Sequence, residues 1–67
     1  MNLIVNGQNM EIPFGTTVGQ LLEILKEPVR PDMIVAVNKV IIHPKKYGIV
    51  VLQENDSTDT IYIAFGG

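Results

Sequence analysis

The sequence of 67 residues contains no cysteine, no tryptophan and a single histidine and serine. Without cysteine, disulfides, thiolate zinc sites and thiol nucleophiles are excluded. A hydrolytic triad would need the side chains of His43 and Ser57 to lie in contact, with an acidic residue beside the histidine. His43 precedes a proline and Ser57 lies in the polar run NDSTD, so we interpret both as turn residues. The composition therefore argues against side-chain catalysis of these kinds.

Positive charge and long apolar runs are also scarce. The sequence has five Lys and Arg residues and seven Asp and Glu residues, which give a net charge of −2. The five basic residues are scattered and do not form the basic stripe that is typical of nucleic-acid binding. No apolar run approaches the roughly 20 residues of a membrane helix, and the start of the sequence lacks the features of a signal peptide. We expect a soluble, cytoplasmic protein without nucleic-acid or membrane partners.

The length allows one domain, spanning residues 1–67. A chain of this size buries only about 60% of the surface that it exposes when unfolded, so its core must be dense. A hydrophobic content of 46% can supply such a core. The first strand is predicted over residues 1–6, Asn6–Gly7 is a strong hairpin-turn signal, and the second strand is predicted over 10–13.

A short helix is predicted next. Thr17 and Gln20 fit a T-x-x-Q capping box at its beginning, and Pro28 requires it to end near residues 26–27. Its apolar residues fall on one stripe, which we expect to pack on a sheet. They are Val18, Leu21, Leu22 and Leu25.

The rest of the chain alternates as strands. These are predicted over residues 33–38, 40–42 and 60–65, with a short apolar segment over 49–52. We expect the last strand to lie beside the first, since both are apolar on one face and neither should remain a bare edge. The order predicts an α+β fold of the β-grasp, or ubiquitin-like, type: a mixed sheet of four or five strands with one main helix packed on one face.

The same alternation predicts which residues the helix leaves uncovered. With Ile61, Ile63 and Phe65 placed on the core side, five apolar residues project from the other side: Ile4, Ile34, Ala36, Tyr62 and Ala64. Such a patch is typical of a partner-docking site, although scattered apolar surface is an equal alternative. Phe65 is a further docking candidate, favoured as a core residue.

The sequence finishes with Gly66 and Gly67. Without Cβ atoms, an extended Gly-Gly pair can enter a narrow channel and adopt φ values closed to other residues. A terminal carboxylate with a pKa near ~3.5 is ionised and can attack a phosphorus centre. On this interpretation the chemistry lies on the main chain. The alternative is an inert, frayed chain end.

These features together resemble a known family. The segments MNLIVNG, TTVGQLLEIL and VAVNKVII, with the final Gly66–Gly67, are similar to the ThiS family within the ThiS/MoaD superfamily of ubiquitin-like sulfur carriers. The resemblance covers nearly the whole chain. Two departures stand out: Asn55–Asp56 lies where such carriers often have Gly-Asp, and Tyr47 lies where Trp is common, without the usual Arg before it.

The resemblance implies a function. The chain would be a protein co-substrate rather than an enzyme, and Gly67 the residue that is modified, with Gly66 as the flexible residue before it. An adenylating partner of the ThiF or MoeB type would use ATP and magnesium to activate the Gly67 carboxylate. A cysteine desulfurase or rhodanese relay would supply sulfur, and the resulting thiocarboxylate would donate it to the thiazole synthase ThiG in thiamine biosynthesis.

Other functions stay open at this point. A MoaD-like carrier for molybdopterin or another sulfur pathway shares the fold and the tail. A ubiquitin-like binding module or modifier without sulfur chemistry is a second class. No metal site is expected, since the spacing of Glu54, Asp56 and Asp59 lacks the glycine and final glutamate of a calcium loop, and no cofactor is expected to bind the chain itself.

Overall fold

The chain forms a five-stranded sheet with one α-helix, in a computed structural model that describes residues 1–63. The elements in chain order are β1 (Asn2–Val5), β2 (Gln8–Glu11), α1 (Val18–Ile24), β3 (Met33–Val37), β4 (Val40–Ile42), a 3₁₀ turn (Pro44–Lys46) and β5 (Ser57–Tyr62). The predicted hairpin, helix and later strands are therefore confirmed, with shifts of up to three residues at their ends. The segment 49–52 is not a strand, although Val51 forms an isolated bridge with Thr17.

The last strand lies in the middle of the sheet. The strand order is β2-β1-β5-β3-β4, with β5 parallel to β1 and antiparallel to β3. The prediction that the final strand returns beside the first is confirmed. A mixed sheet of this order with one helix is the β-grasp arrangement predicted from the sequence.

Local sequence signals account for the first hairpin and the beginning of the helix. Asn6 and Gly7 have φ values of 49° and 84°, the left-handed conformation that Asn and Gly tolerate best. Thr17 caps α1: its side-chain oxygen accepts from the Gln20 N–H at 3.2 Å, and the Gln20 side chain accepts from the Thr17 N–H at 3.0 Å. The predicted capping box is confirmed.

The helix ends earlier than predicted, at Ile24 rather than near residues 26–27. Lys26 takes a left-handed φ of 57°, and the N–H groups of Lys26 and Glu27 bond to the carbonyls of Glu23 and Leu22. This is a Schellman motif with lysine at the position that glycine usually takes. Pro28 sets an upper limit for the helix, and the Schellman turn sets its actual end.

The core lies between the helix and one face of the sheet. Its buried members come from every layer of the fold: Met1, Leu3, Val5, Ile12, Val18, Leu21, Leu22, Met33, Val35, Tyr47 and Leu52. Three of the four residues of the predicted helix stripe are buried, and the fourth, Leu25, packs against the core from a half-buried position. The predicted stripe therefore packs as expected.

The faces of β5 are the reverse of the prediction. Residues directly opposite each other in antiparallel strands share a face. Tyr62 lies opposite the core residue Met33, and Ile61 lies opposite Ile34 on the uncovered face. The placement of Tyr62 on the uncovered face, and of Ile61 on the core side, is therefore wrong. Asp59 shares the face of Ile61, as a charged residue on the outer side should.

Candidate functional site

The terminal residues predicted to carry the chemistry, Gly66 and Gly67, lie outside the described residues, as do Ala64 and Phe65. Their predicted roles stay predictions. The structure describes what leads up to them: β5, which ends at Tyr62, followed by Ile63. The surroundings of this strand end and the uncovered face beside it make up the described part of the candidate site.

The uncovered face carries an apolar surface near the end of β5. Ile61, half-exposed, lies opposite Ile34, and Ile41, 68% exposed, lies opposite the buried Ala36. We call Ile34, Ala36, Ile41 and Ile61 the outer-face patch. Of the predicted docking residues, Ile34 and Ala36 belong to it. Ile61 and Ile41 are not among the residues predicted from the sequence. The prediction has the two faces of β5 reversed, and it does not assign the residues of β4 to a face.

Ile4 lies on the same face but apart from the outer-face patch. It is half-buried and pairs with Ser57 at the other end of β5. Asp59 stands between Ser57 and Ile61 on this face, so a charge separates Ile4 from the apolar surface near the strand end. The structure therefore does not unite the five predicted patch residues, and whether any of them contacts a partner stays a prediction.

Tyr62 lies on the helix side, with 43% of the residue exposed. Its hydroxyl group donates a hydrogen bond to the Glu27 carboxylate just beyond the helix. This bond is the main reason that the pKa of Tyr62 is raised above its ordinary value; desolvation and the negative charge of Glu27 add to it, and the Arg30 guanidinium opposes it. The hydroxyl group therefore stays protonated, as the donor of this bond.

The VAVN segment, which carries much of the resemblance, has a structural role. Asn38, its last residue, has a φ of 52°; its side chain donates to Asp56 and accepts from the Ser57 N–H, both at 2.9 Å. These bonds tie the β3–β4 turn to the beginning of β5. The last residue of the motif therefore helps to hold the beginning of the last strand in place.

Both departures from the family pattern fit the structure. Asn55 has a φ of 68°, so asparagine takes the left-handed position where glycine is common, and Asp56 accepts from the Gln53 N–H at 2.8 Å. Tyr47 is 6% exposed and fills the core, and burial raises the pKa of its hydroxyl group. Its carbonyl accepts from the N–H of Gly19 at 2.8 Å.

Acidic groups near the final turn are engaged within the fold. Glu54 accepts from the Asn2 N–H at 2.7 Å, and Asp56 makes the bonds to Asn38 and Gln53. Within residues 1–63, no three His, Asp or Glu side chains come together in a group that could hold a metal ion. No helix in this same stretch has the length and apolar character needed to cross a membrane.

Fold and strand order define a small ubiquitin-like protein of the β-grasp class. A family model described as the ThiS family matches residues 3–67. The chain belongs to the ThiS family, as the resemblance in its sequence indicates. No curated protein matches the sequence.

Two solved structures are similar over the whole chain. The crystal structure of the thiamine biosynthesis protein ThiS from Geobacter metallireducens has a TM-score of 0.87 and 25% identity, and the similarity covers 100% of both chains. The solution structure of a thiamine biosynthesis protein from the same organism has a TM-score of 0.73 and 25% identity, covering 100% of this chain and 88% of the other. The ubiquitin-like β-grasp fold is thereby confirmed.

Proposed function

We propose that this protein is a sulfur carrier of thiamine biosynthesis, whose Gly67 carboxylate is adenylated, converted to a thiocarboxylate and used as the sulfur donor for thiazole formation. The observation that carries the proposal is the ThiS family match, which extends through the final Gly66–Gly67 pair. The whole-chain similarity to a thiamine biosynthesis protein supports it. The protein acts as a co-substrate, and the cytoplasmic location stays a prediction.

The proposed chemistry needs no catalytic side chain in this chain. A Gly67 carboxylate oxygen attacks the α-phosphorus of ATP, held with magnesium by the adenylating enzyme, and pyrophosphate leaves. A persulfide from the sulfur relay then attacks the acyl carbon, and AMP leaves. A thiol of the partner proteins then cleaves the resulting acyl disulfide. This cleavage forms a new disulfide between the partner thiols and releases the thiocarboxylate. The glycines place no Cβ against the partner's channel in any step.

Intact-protein mass spectrometry tests the proposal. The chain is incubated with ATP, magnesium, a ThiF-type enzyme and a persulfide source, and we expect a mass gain equal to the replacement of one oxygen by sulfur. A variant with one residue appended after Gly67 is the control and should not react. Transfer is tested next, by adding the thiazole synthase ThiG and following the loss of the added mass.

Several outcomes are informative. A chain that forms neither adenylate nor thiocarboxylate would contradict the proposal and favour a binding module. A thiocarboxylate that ThiG never consumes would support sulfur carriage and contradict the thiamine assignment. Loading of the extended variant at the wild-type rate would show that the Gly67 carboxylate is not the reacting group.

We also propose that the outer-face patch docks the adenylating enzyme. It is apolar, exposed at Ile41 and Ile61, and next to the end of β5. Ile61→Gln should raise the KM for the carrier roughly threefold to tenfold, because Ile61 is 50% exposed and burying the exposed half of an isoleucine is worth about 0.8–1.5 kcal/mol. Ile24→Gln is a matched control, since Ile24 is 46% exposed on the helix side against 50% for Ile61. Equal KM values for the two variants would overturn this docking assignment.

A further inference from the structure

The end of β5 is held by polar side chains that lie outside the core cluster. The Tyr62 hydroxyl group donates to Glu27, and the guanidinium carbon of Arg30 lies 5.3 Å from the centre of the Tyr62 ring. Arg30 donates two hydrogen bonds to the Asp32 carboxylate, at 2.9 and 2.7 Å. We call Glu27, Arg30, Asp32 and Tyr62 the strand-end cluster.

The strand-end cluster is connected to the backbone at the last described residue. The Ile63 N–H donates to the Asp32 carbonyl at 2.8 Å, directly beyond the Met33–Tyr62 pair that finishes the β3–β5 ladder. On the other side of β5, the pairing with β1 reaches Thr58. The end of the strand is therefore held from the side of β3 and the loop before it.

Stability alone is a weak explanation for this arrangement. The side chain of Arg30 is 55% exposed and that of Asp32 is 22% exposed, and Tyr62 as a whole is 43% exposed. Ion pairs this exposed stabilise a fold little, and holding long side chains costs rotamer entropy. The distinctive property of the cluster is its position, because Gly67 follows Ile63 by four residues.

We propose that the strand-end cluster is a positioning device for the terminal carboxylate, because it fixes the direction in which the chain leaves β5. This inference rests on the proposed function. Four residues span at most about 14 Å, so the place where Ile63 is held limits the points that the Gly67 carboxylate can reach. A misplacement of about 1 Å at a reacting atom can lower a rate by about a hundredfold.

The position of the cluster predicts a specific kinetic pattern. It lies on the helix side of the sheet, whereas the outer-face patch lies on the opposite side. Losing the cluster should therefore lower kcat for adenylation and leave the KM for the carrier unchanged. A lower kcat with an unchanged KM indicates an interaction that matters after binding.

Three variants test the proposal, with kinetics of the ThiF-type enzyme and hydrogen exchange of the Ile63 amide as readouts. Tyr62→Leu removes the hydroxyl group and the ring, and should lower kcat about tenfold, leave KM within about twofold and speed exchange at Ile63. Glu27→Gln keeps a neutral, weaker acceptor for the hydroxyl group and should lower kcat less than Tyr62→Leu does. Val29→Ala changes an exposed side chain of the same loop and is the control.

Each result has a definite consequence. If the wild type is adenylated and Tyr62→Leu has the same kcat, the positioning role is wrong and the proposed function stands. If kcat falls without faster exchange at Ile63, or in proportion to a loss of folded protein by thermal unfolding, the positioning role is also overturned. If the wild type is not adenylated, the proposed function fails and the positioning role fails with it.

Discussion

Replacing Asn38 tests how the VAVN segment holds the last strand in place. Its side chain makes two hydrogen bonds of 2.9 Å, one to the Asp56 carboxylate and one from the Ser57 N–H. Its backbone has a φ of 52°, a left-handed conformation that asparagine and glycine tolerate and alanine does not. Asn38→Gly removes the side-chain bonds without adding strain, whereas Asn38→Ala removes the bonds and adds strain.

The two variants should therefore differ in a defined order. Each exposed hydrogen bond contributes about 1 kcal/mol, so Asn38→Gly should lower the free energy of unfolding by about 2 kcal/mol. Asn38→Ala should lower it by about 3 kcal/mol, because a left-handed alanine costs ~1–2 kcal/mol, of which ~0.4–1 kcal/mol is offset by the less flexible unfolded chain of alanine relative to glycine. For a domain of this size, ~3 kcal/mol corresponds to a fall in Tm of roughly 12–24 °C.

Urea unfolding followed by circular dichroism measures these differences. Asn9→Ala is the matched control: Asn9 is exposed, and its one side-chain contact, with Asn2, is long at 3.5 Å. It should change the free energy of unfolding by less than about 0.5 kcal/mol. The reasoning is refuted if Asn38→Ala costs no more than Asn9→Ala, and its strain component is refuted if Asn38→Gly costs as much as Asn38→Ala.

Three further predictions concern the helix and the tyrosines. Thr17→Ala should lower the free energy of unfolding by about 1 kcal/mol in urea titrations through loss of the cap, and no loss would contradict the capping role. Lys26→Gly should raise it by about 0.5–1 kcal/mol by relieving the left-handed strain, and a decrease would contradict this. In an alkaline titration followed by tyrosinate absorbance, Tyr47 and Tyr62 should both ionise above their ordinary pKa of 10.0, and Glu27→Gln should lower the pKa of Tyr62. Because the pKa values of both tyrosines are raised in the folded state, the stability that they contribute is present below about pH 10. It is lost as the pH rises through the folded-state pKa values. A pKa of Tyr62 that Glu27→Gln leaves unchanged would contradict the role of the Tyr62–Glu27 hydrogen bond.

Local signals in the sequence predicted the elements well. The Asn6–Gly7 turn and the Thr17–Gln20 capping box depend on neighbouring residues alone, so they could be identified without the rest of the fold. The left-handed turn at Lys26 gave no such signal, because lysine is not a residue that usually takes this position. The contacts of Asn38 could not be predicted, since its partner Asp56 lies 18 residues further along the chain.

The error in the faces of β5 has a specific cause. Both Ile61 and Tyr62 are apolar enough for either face of the sheet, so the alternation from Thr60 onward does not show which of them faces the core. The strand begins at Ser57, and this earlier beginning includes Asp59, whose charge belongs on the uncovered side. Counting in twos from Asp59 places Ile61 on that side. The signal was present in the sequence but lay outside the predicted strand.

The structure places the residues of the two proposals on opposite faces of one strand end. Ile61 faces the uncovered side, where the proposed docking surface lies, and the next residue, Tyr62, faces the helix side and contacts Glu27. On these two proposals, one strand end serves binding on one side and alignment on the other, because successive residues of a strand point to opposite faces. A substitution at Ile61 should therefore act on KM and one at Tyr62 on kcat. On the proposed function, this division needs no catalytic side chain, because Ile61 is followed six residues later by Gly67, the residue proposed to react.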